Sequence, residues 1–118
     1  MSRHQGDIIE QQALDYLLEH KLKLLERNYA GRQGEIDLIM LDGKTLTFVE
    51  VRYRRSRQHG SSAESVDWRK QQKLISTAQL FLQTHKKLQN HVCRFDVIAC
   101  SPEQHGTKIE WIKDAFQP

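Results

Sequence analysis

Two stretches of the chain carry apolar residues at helical spacing and predict helices. The first runs from about Gly6 to Glu19, and the second from about Asp67, a plausible N-cap, to His85. The expected inner faces are Ile9, Ala13, Leu14, Leu17 and Leu18 in the first helix, and Trp68, Ile75, Ala78, Phe81 and Leu82 in the second. Each helix therefore has one apolar stripe that needs a partner.

Shorter apolar runs predict five strands. They cover about residues 22–29, the two arms of a hairpin within 34–52, and then 93–100 and 108–112, with a short helical turn at 114–116. The resulting order, α-β-β-β-α-β-β, predicts an α/β fold with a central mixed sheet flanked by helices. At 118 residues the chain is expected to form one domain, 1–118.

The hairpin places two acidic residues near each other. Asp42-Gly43 between two β-rich runs predicts a two-residue loop, and this loop pairs Asp37 with Phe48. Asp37 and Glu50 then share a face as diagonal neighbours, with Cβ atoms about 7–8 Å apart. Carboxylates at that range can share one divalent cation, whereas a one-residue change in the loop would put them on opposite faces.

The competing interpretation of this hairpin is a solvated acidic face. Against it, the opposite face (Ile36, Leu38, Met40, Val49 and Val51) is also apolar, which is typical of strands covered on both sides. An acid in such a strand needs a positive partner. Glu10 lies beside the apolar stripe of the first helix, where it either faces the site or simply favours the helix dipole.

Composition and charge indicate which classes of protein the chain can belong to. The chain is 38% hydrophobic, has no apolar run of the ~20 residues that span a bilayer, and begins without the apolar core of a signal peptide. We therefore expect a cytoplasmic protein with no membrane partner, two reduced cysteines and no zinc site. Residues 51–73 hold seven basic and two acidic residues, which gives +5. This block is either a solvated flexible face or a surface for a polyanion.

Several motifs together resemble a known family. They are the early-helix Glu10, Gly-Glu-Ile-Asp-Leu-Ile at 34–39, Phe-Val-Glu-Val followed by a basic residue and an arginine at 48–54, and Arg-Phe-Asp-Val-Ile at 94–98. The combination resembles the YraN-like group of uncharacterised bacterial proteins. That group looks like a member of the PD-(D/E)xK nuclease superfamily, near the archaeal Holliday-junction resolvases. The resemblance implies a restriction-endonuclease-like fold.

The resemblance also implies roles for particular residues. The superfamily's metal-binding Asp falls on Asp37, the Glu of its E-x-K motif on Glu50, and its supporting helical Glu on Glu10. The implied cofactor is Mg²⁺ or Mn²⁺, which prefer oxygen ligands. Arg52 stands where the family has lysine. Because arginine stays protonated it cannot act as a base, but it can stabilise charge on a phosphate.

Three hypotheses follow for function. The first is a metal-dependent endodeoxyribonuclease, with catalytic residues Glu10, Asp37, Glu50 and Arg52, and with DNA gripped by Arg54, Arg55, Arg57 and Lys70. A homodimer would suit cleavage of a junction. The second is a nucleic-acid-binding module of the same fold that does not cut, and the third is a protein adaptor in which the acids are structural.

Overall fold

The computed structural model describes residues 3–54 and 66–118, with side chains from Gly6 onward. The elements, in chain order, are helix α1 (Arg3–Glu19), strands β1 (Lys23–Ala30), β2 (Glu35–Asp42) and β3 (Thr45–Tyr53), helix α2 (Trp68–Thr84), a short 3₁₀ turn (Lys86–Leu88), and strands β4 (Val92–Glu103) and β5 (Gly106–Phe116). No helix within the described ranges is long and apolar enough to cross a membrane.

The five strands form one mixed sheet in the order β1-β2-β3-β4-β5. Strands β3 and β4 are parallel because α2 carries the chain back between them, and the other neighbours are antiparallel. The predicted α/β class and the order α-β-β-β-α-β-β are therefore confirmed.

Each helix covers one face of the sheet. The stripe of α1 packs against one core that includes Leu38, Met40, Val49 and Ile98. The stripe of α2 packs against a second core that includes Ile39, Phe48, Phe95 and Val97. The central strands are thus buried on both sides, which explains their nearly continuous apolar runs.

The predicted pairing of the hairpin is wrong by two residues. Asp42 pairs with Thr45, so the loop is Gly43-Lys44 and not Asp42-Gly43. Gly43 has a φ of 62° at the first loop position, as a type II′ turn requires. This turn needs a positive φ only at the glycine, whereas the predicted loop would also have needed one at Asp42. Because the shift is two residues, every side chain keeps its predicted face except where the pleat is irregular.

Such an irregularity lies where β1 passes Asp37. Asn28 has a φ of 52° between the pairs Arg27–Leu38 and Tyr29–Ile36. Ile36, predicted to share a face with Leu38, instead packs in the core on the α2 side. The sheet is therefore distorted beside the acidic residue of β2.

Three further expectations are wrong. Residues 114–116 continue β5 instead of forming a helical turn, because Phe116 stacks on Phe95 with ring centroids 4.9 Å apart and joins the core. Trp68, expected in the apolar stripe of α2, is 73% exposed at the start of that helix. Leu18, expected in the apolar stripe of α1, is 43% exposed near the end of that helix.

Candidate functional site

Strands β2 and β3 separate at the end away from their loop. Their paired positions run from Asp42–Thr45 to Leu38–Val49, and one step further would place Asp37 opposite Glu50. There the Asp37 side chain, in place of a backbone carbonyl, bonds to β3: its Oδ2 accepts a hydrogen bond of 2.8 Å from the Val51 amide. Asp37 is thus oriented toward β3 and lies closer to Glu50 than the predicted diagonal would have placed it.

The carboxyl groups of Asp37 and Glu50 are in direct contact. Burial of Asp37, followed in size by the charge of Glu50, raises the pKa of the Asp37 carboxyl to about 8, and a hydrogen bond with Glu50 and the charge of Glu10 act in the same direction. Asp37 therefore keeps a proton at neutral pH and donates it toward Glu50. The Glu50 side chain is only 5% exposed, so Asp37 and Glu50 meet where little water can solvate their carboxyl groups.

Two cations reach the same oxygen of Glu50 from different elements. Arg52 Nη1 lies 3.4 Å from Glu50 Oε2, and Lys70 Nζ, from the first turn of α2, lies 3.5 Å from it. Both distances exceed the usual 2.7–2.9 Å or so of a tight charge-assisted hydrogen bond. Both cations remain about one-third exposed, so they border the opening of the site.

Glu10 approaches from α1 and is held by a residue that the sequence patterns did not indicate. Arg27, in β1, places Nη2 3.1 Å from Glu10 Oε1 and donates from Nη1 to Gln11 Oε1 at 2.9 Å. Arg27 pairs in the sheet with Leu38, the neighbour of Asp37. Strand β1 carries several other polar residues, so no local pattern singled out Arg27, and its role required the register of β1.

The donor set for a metal is small. Within residues 3–54 and 66–118, no group of three or more His, Cys, Asp or Glu side chains is arranged to hold a metal ion. The candidate donors are thus the pair Asp37 and Glu50, while Glu10 is engaged by Arg27. A pair of carboxylates fits Mg²⁺, which typically binds through one or two of them and keeps several waters. The metal role of this pair stays a prediction.

The basic residues assigned to DNA are only partly described. Arg54 lies at the end of β3, where its amide donates to the Cys100 carbonyl at 2.8 Å. Arg55 and Arg57 lie outside the described residues. Lys70, predicted to grip the DNA backbone, lies beside Glu50 at the opening of the site, and its contact with DNA stays a prediction.

The Arg-Phe-Asp-Val-Ile motif forms a separate polar cluster. Asp96 is fully buried and accepts four hydrogen bonds of 2.8–3.0 Å, two from Arg94, one from the Trp111 indole and one from the Asp114 amide. Arg94 also donates to Asp42 at 2.8 Å. These bonds, that with Asp96 first, raise the pKa of the Arg94 guanidinium above its already high range. The cluster joins β4 to β5 and to the end of β2, which is a structural role.

Comparison with known proteins places the chain in one family. The sequence profile of the Uncharacterised protein family UPF0102 matches residues 9–100. A UPF0102 protein of Stutzerimonas stutzeri (strain A1501) is 52% identical over 116 residues, which are 98% of this chain and 97% of that protein. A UPF0102 protein of Pseudomonas syringae pv. syringae (strain B728a) is 52% identical over 105 residues, 88% of this chain and 85% of the relative. The matched range includes Glu10, Asp37, Glu50 and Lys70, and the chain belongs to the UPF0102 family.

Proposed function

We propose that the protein is a divalent-metal-dependent endodeoxyribonuclease that acts in the cytoplasm on branched or junction DNA. The observation that carries the proposal is the contact between Asp37 and Glu50 where β2 and β3 separate, bordered by two partly exposed cations. Once Asp37 loses its proton, the two carboxylates repel each other in a poorly hydrated place, and a divalent cation between them would offset that repulsion. Cations at the rim suit an anionic substrate.

The proposed roles follow from these positions. Asp37 and Glu50 would hold Mg²⁺ or Mn²⁺, and the pair of Glu10 with Arg27 would keep the helix side of the site in place. When such an ion is bound, the chemistry it supplies is a water of lowered pKa and a polarised scissile phosphate. Arg52 would neutralise charge that develops on the phosphate.

Substrate binding would depend on the basic block. Arg54, Arg55 and Arg57 follow β3 directly and would hold the DNA backbone on either side of the scissile phosphate. The superfamily resemblance supports a restriction-endonuclease-like arrangement, and a homodimer would present two such sites to the two cleaved strands of a junction. Sedimentation with and without junction DNA tests the dimer.

Arg52 favours a second candidate function, a nucleic-acid-binding module that does not cut. Arg52 stands where the resemblance expects lysine, and arginine cannot take a proton from water. The same site could therefore bind nucleic acid without cutting it.

A cleavage assay separates these functions. Labelled four-way-junction and linear duplex DNA are incubated with the protein in Mn²⁺ and in EDTA. We expect the junction to be cleaved in Mn²⁺ and not in EDTA. Asp37→Asn should lower the cleavage rate by about 100-fold, an effect comparable to the removal of one charge-stabilising group. The matched control is Asp15→Asn, which removes an exposed carboxylate from α1 and should cut like the wild type.

The other outcomes of the cleavage assay separate the remaining hypotheses. Junction binding in the absence of cleavage under every ion tried would establish the binding module. Failure both to cut and to bind DNA would overturn both proposals and leave the structural role of the acids.

A further inference from the structure

The position of Lys70 is set before any substrate arrives. Asp67 caps α2 by accepting a 2.8 Å hydrogen bond from the Lys70 amide, and the Gln71 side chain donates to the Val66 carbonyl at 2.9 Å. The first turn of α2 is thus anchored on both sides of residue 70. Its ammonium reaches Glu50 from the helix layer, whereas Arg52 reaches the same oxygen along β3.

Lys70 is more than a counter-ion for Glu50. The Glu50 side chain is nearly buried and one cation already lies near it in Arg52, so a second is not needed to neutralise one carboxylate. The ammonium has three N–H donors, and the contact with Glu50 uses one of them at a loose 3.5 Å. With 38% of the side chain exposed, an anion that approaches Glu50 can meet the ammonium.

The two cations differ in what they can do there. Arginine presents a wide planar fork, whereas the lysine ammonium is a compact point charge on a flexible stem. A compact charge can touch a carboxylate oxygen and a phosphate oxygen at once. Arg52, where the resemblance expects lysine, does not offer such a group, whereas Lys70 brings one to the same carboxylate.

We propose, on the basis of the proposed nuclease function, that Lys70 is a catalytic residue whose ammonium contacts the scissile phosphate in place of a lysine at position 52. It donates a hydrogen bond to a non-bridging oxygen as negative charge builds there. Water adds to phosphorus and gives up its protons to solvent. The P–O ester bond breaks with its electron pair on the departing oxygen, which takes a proton from solvent. Lys70 stays protonated throughout.

The test compares turnover with binding in the full-length protein. Cleavage of four-way-junction DNA in Mn²⁺ is measured at saturating DNA for the wild type, Lys70→Met and Lys87→Met. Lys87 is the matched control because it is an exposed lysine in the 3₁₀ turn after α2, outside the basic block. DNA affinity in EDTA, Mn²⁺ affinity and thermal unfolding are measured for each protein.

We expect Lys70→Met to lower kcat by about 100-fold, with DNA affinity changed by less than about threefold and Mn²⁺ affinity equal or higher. Lys87→Met should keep the wild-type kcat. The double variant Arg52→Lys/Lys70→Met should regain at least about tenfold of the lost rate, because it returns an ammonium to the other position beside Glu50. A merely structural Lys70 would not be rescued in this way.

Three results would overturn the proposal. The first is an unchanged kcat with weaker DNA binding in Lys70→Met, which would make Lys70 a contact to the DNA backbone. The second is loss of folding in Lys70→Met together with an unchanged kcat in Lys70→Ala or Lys70→Gln. The third is loss of kcat without rescue by Arg52→Lys. A wild type that cuts no DNA would instead remove the nuclease function itself, so the two failures are distinct.

Discussion

The proton that Asp37 holds at neutral pH leads to a prediction that can be tested without DNA or metal. Asp37→Asn keeps the shape of the side chain, and its carbonyl oxygen can still accept from the Val51 amide. Its NH₂ group can donate to Glu50, as the protonated carboxyl does in the wild type. The variant should therefore fold normally while it lacks the group that titrates.

The size of the effect follows from two pKa values, about 8 for Asp37 in the folded protein and 3.8 for an unperturbed aspartic acid. Between these values the folded protein holds a proton that the unfolded chain has released. The contribution of Asp37 to stability is thus complete below about pH 4 and is lost as the pH rises toward 8. The free energy of unfolding falls by about 1.4 kcal/mol per pH unit for one such group.

From pH 5 to pH 7 this slope corresponds to about 3 kcal/mol. Asp37 is only half-buried, so solvent screening reduces the effect, and we expect about 2 kcal/mol. The wild type should lose this much relative to Asp37→Asn over that interval, so that the variant becomes the more stable protein near neutral pH. Removal of an acid of the candidate site would then stabilise the fold.

Urea unfolding in EDTA at pH 5 and pH 7, followed by circular dichroism, measures this difference. Asp15→Asn is the control, because it removes a solvated carboxylate from α1 and should follow the wild type at both pH values. If the free energies of the wild type and Asp37→Asn change in parallel with pH, the pKa of Asp37 is not raised in the folded protein and the proposed electrostatics of the site are wrong.

Two further predictions concern the polar cluster and the basic block. Asp96→Asn should lower the free energy of unfolding, measured in urea, by about 3–5 kcal/mol, because either placement of its NH₂ group faces two N–H donors. A loss below about 1 kcal/mol would contradict the structural role. The control Asp42→Asn, at a partly exposed partner of Arg94, should lower the free energy of unfolding by less. Replacing both Arg55 and Arg57 by Ala should weaken DNA binding and flatten the slope of log K against log salt by about two units if both touch phosphate; an unchanged slope would show that they point elsewhere.

The sequence alone determined the class of fold and the face on which the two acids lie. Helical spacing marked both helices, and apolar runs marked all five strands. The shared face of Asp37 and Glu50 survived an error of two residues in the hairpin, since side chains alternate with a period of two and an even shift changes no face. These features depend on residues that are close in the chain, so local patterns suffice.

Only the tertiary structure decided how close the acids come and which cations meet them. The paired positions of β2 and β3 end at Leu38–Val49, so that Asp37 and Glu50, predicted to be diagonal neighbours, are in direct contact. Arg27 reached Glu10, and Lys70 reached Glu50, because the packing of a helix against each face of the sheet brought together residues 17 and 20 positions apart. Such meetings depend on register and on crossover geometry, which no local spacing encodes. For the same reason Lys70, which the sequence analysis assigned to the DNA backbone, lies beside Glu50 at the opening of the candidate site.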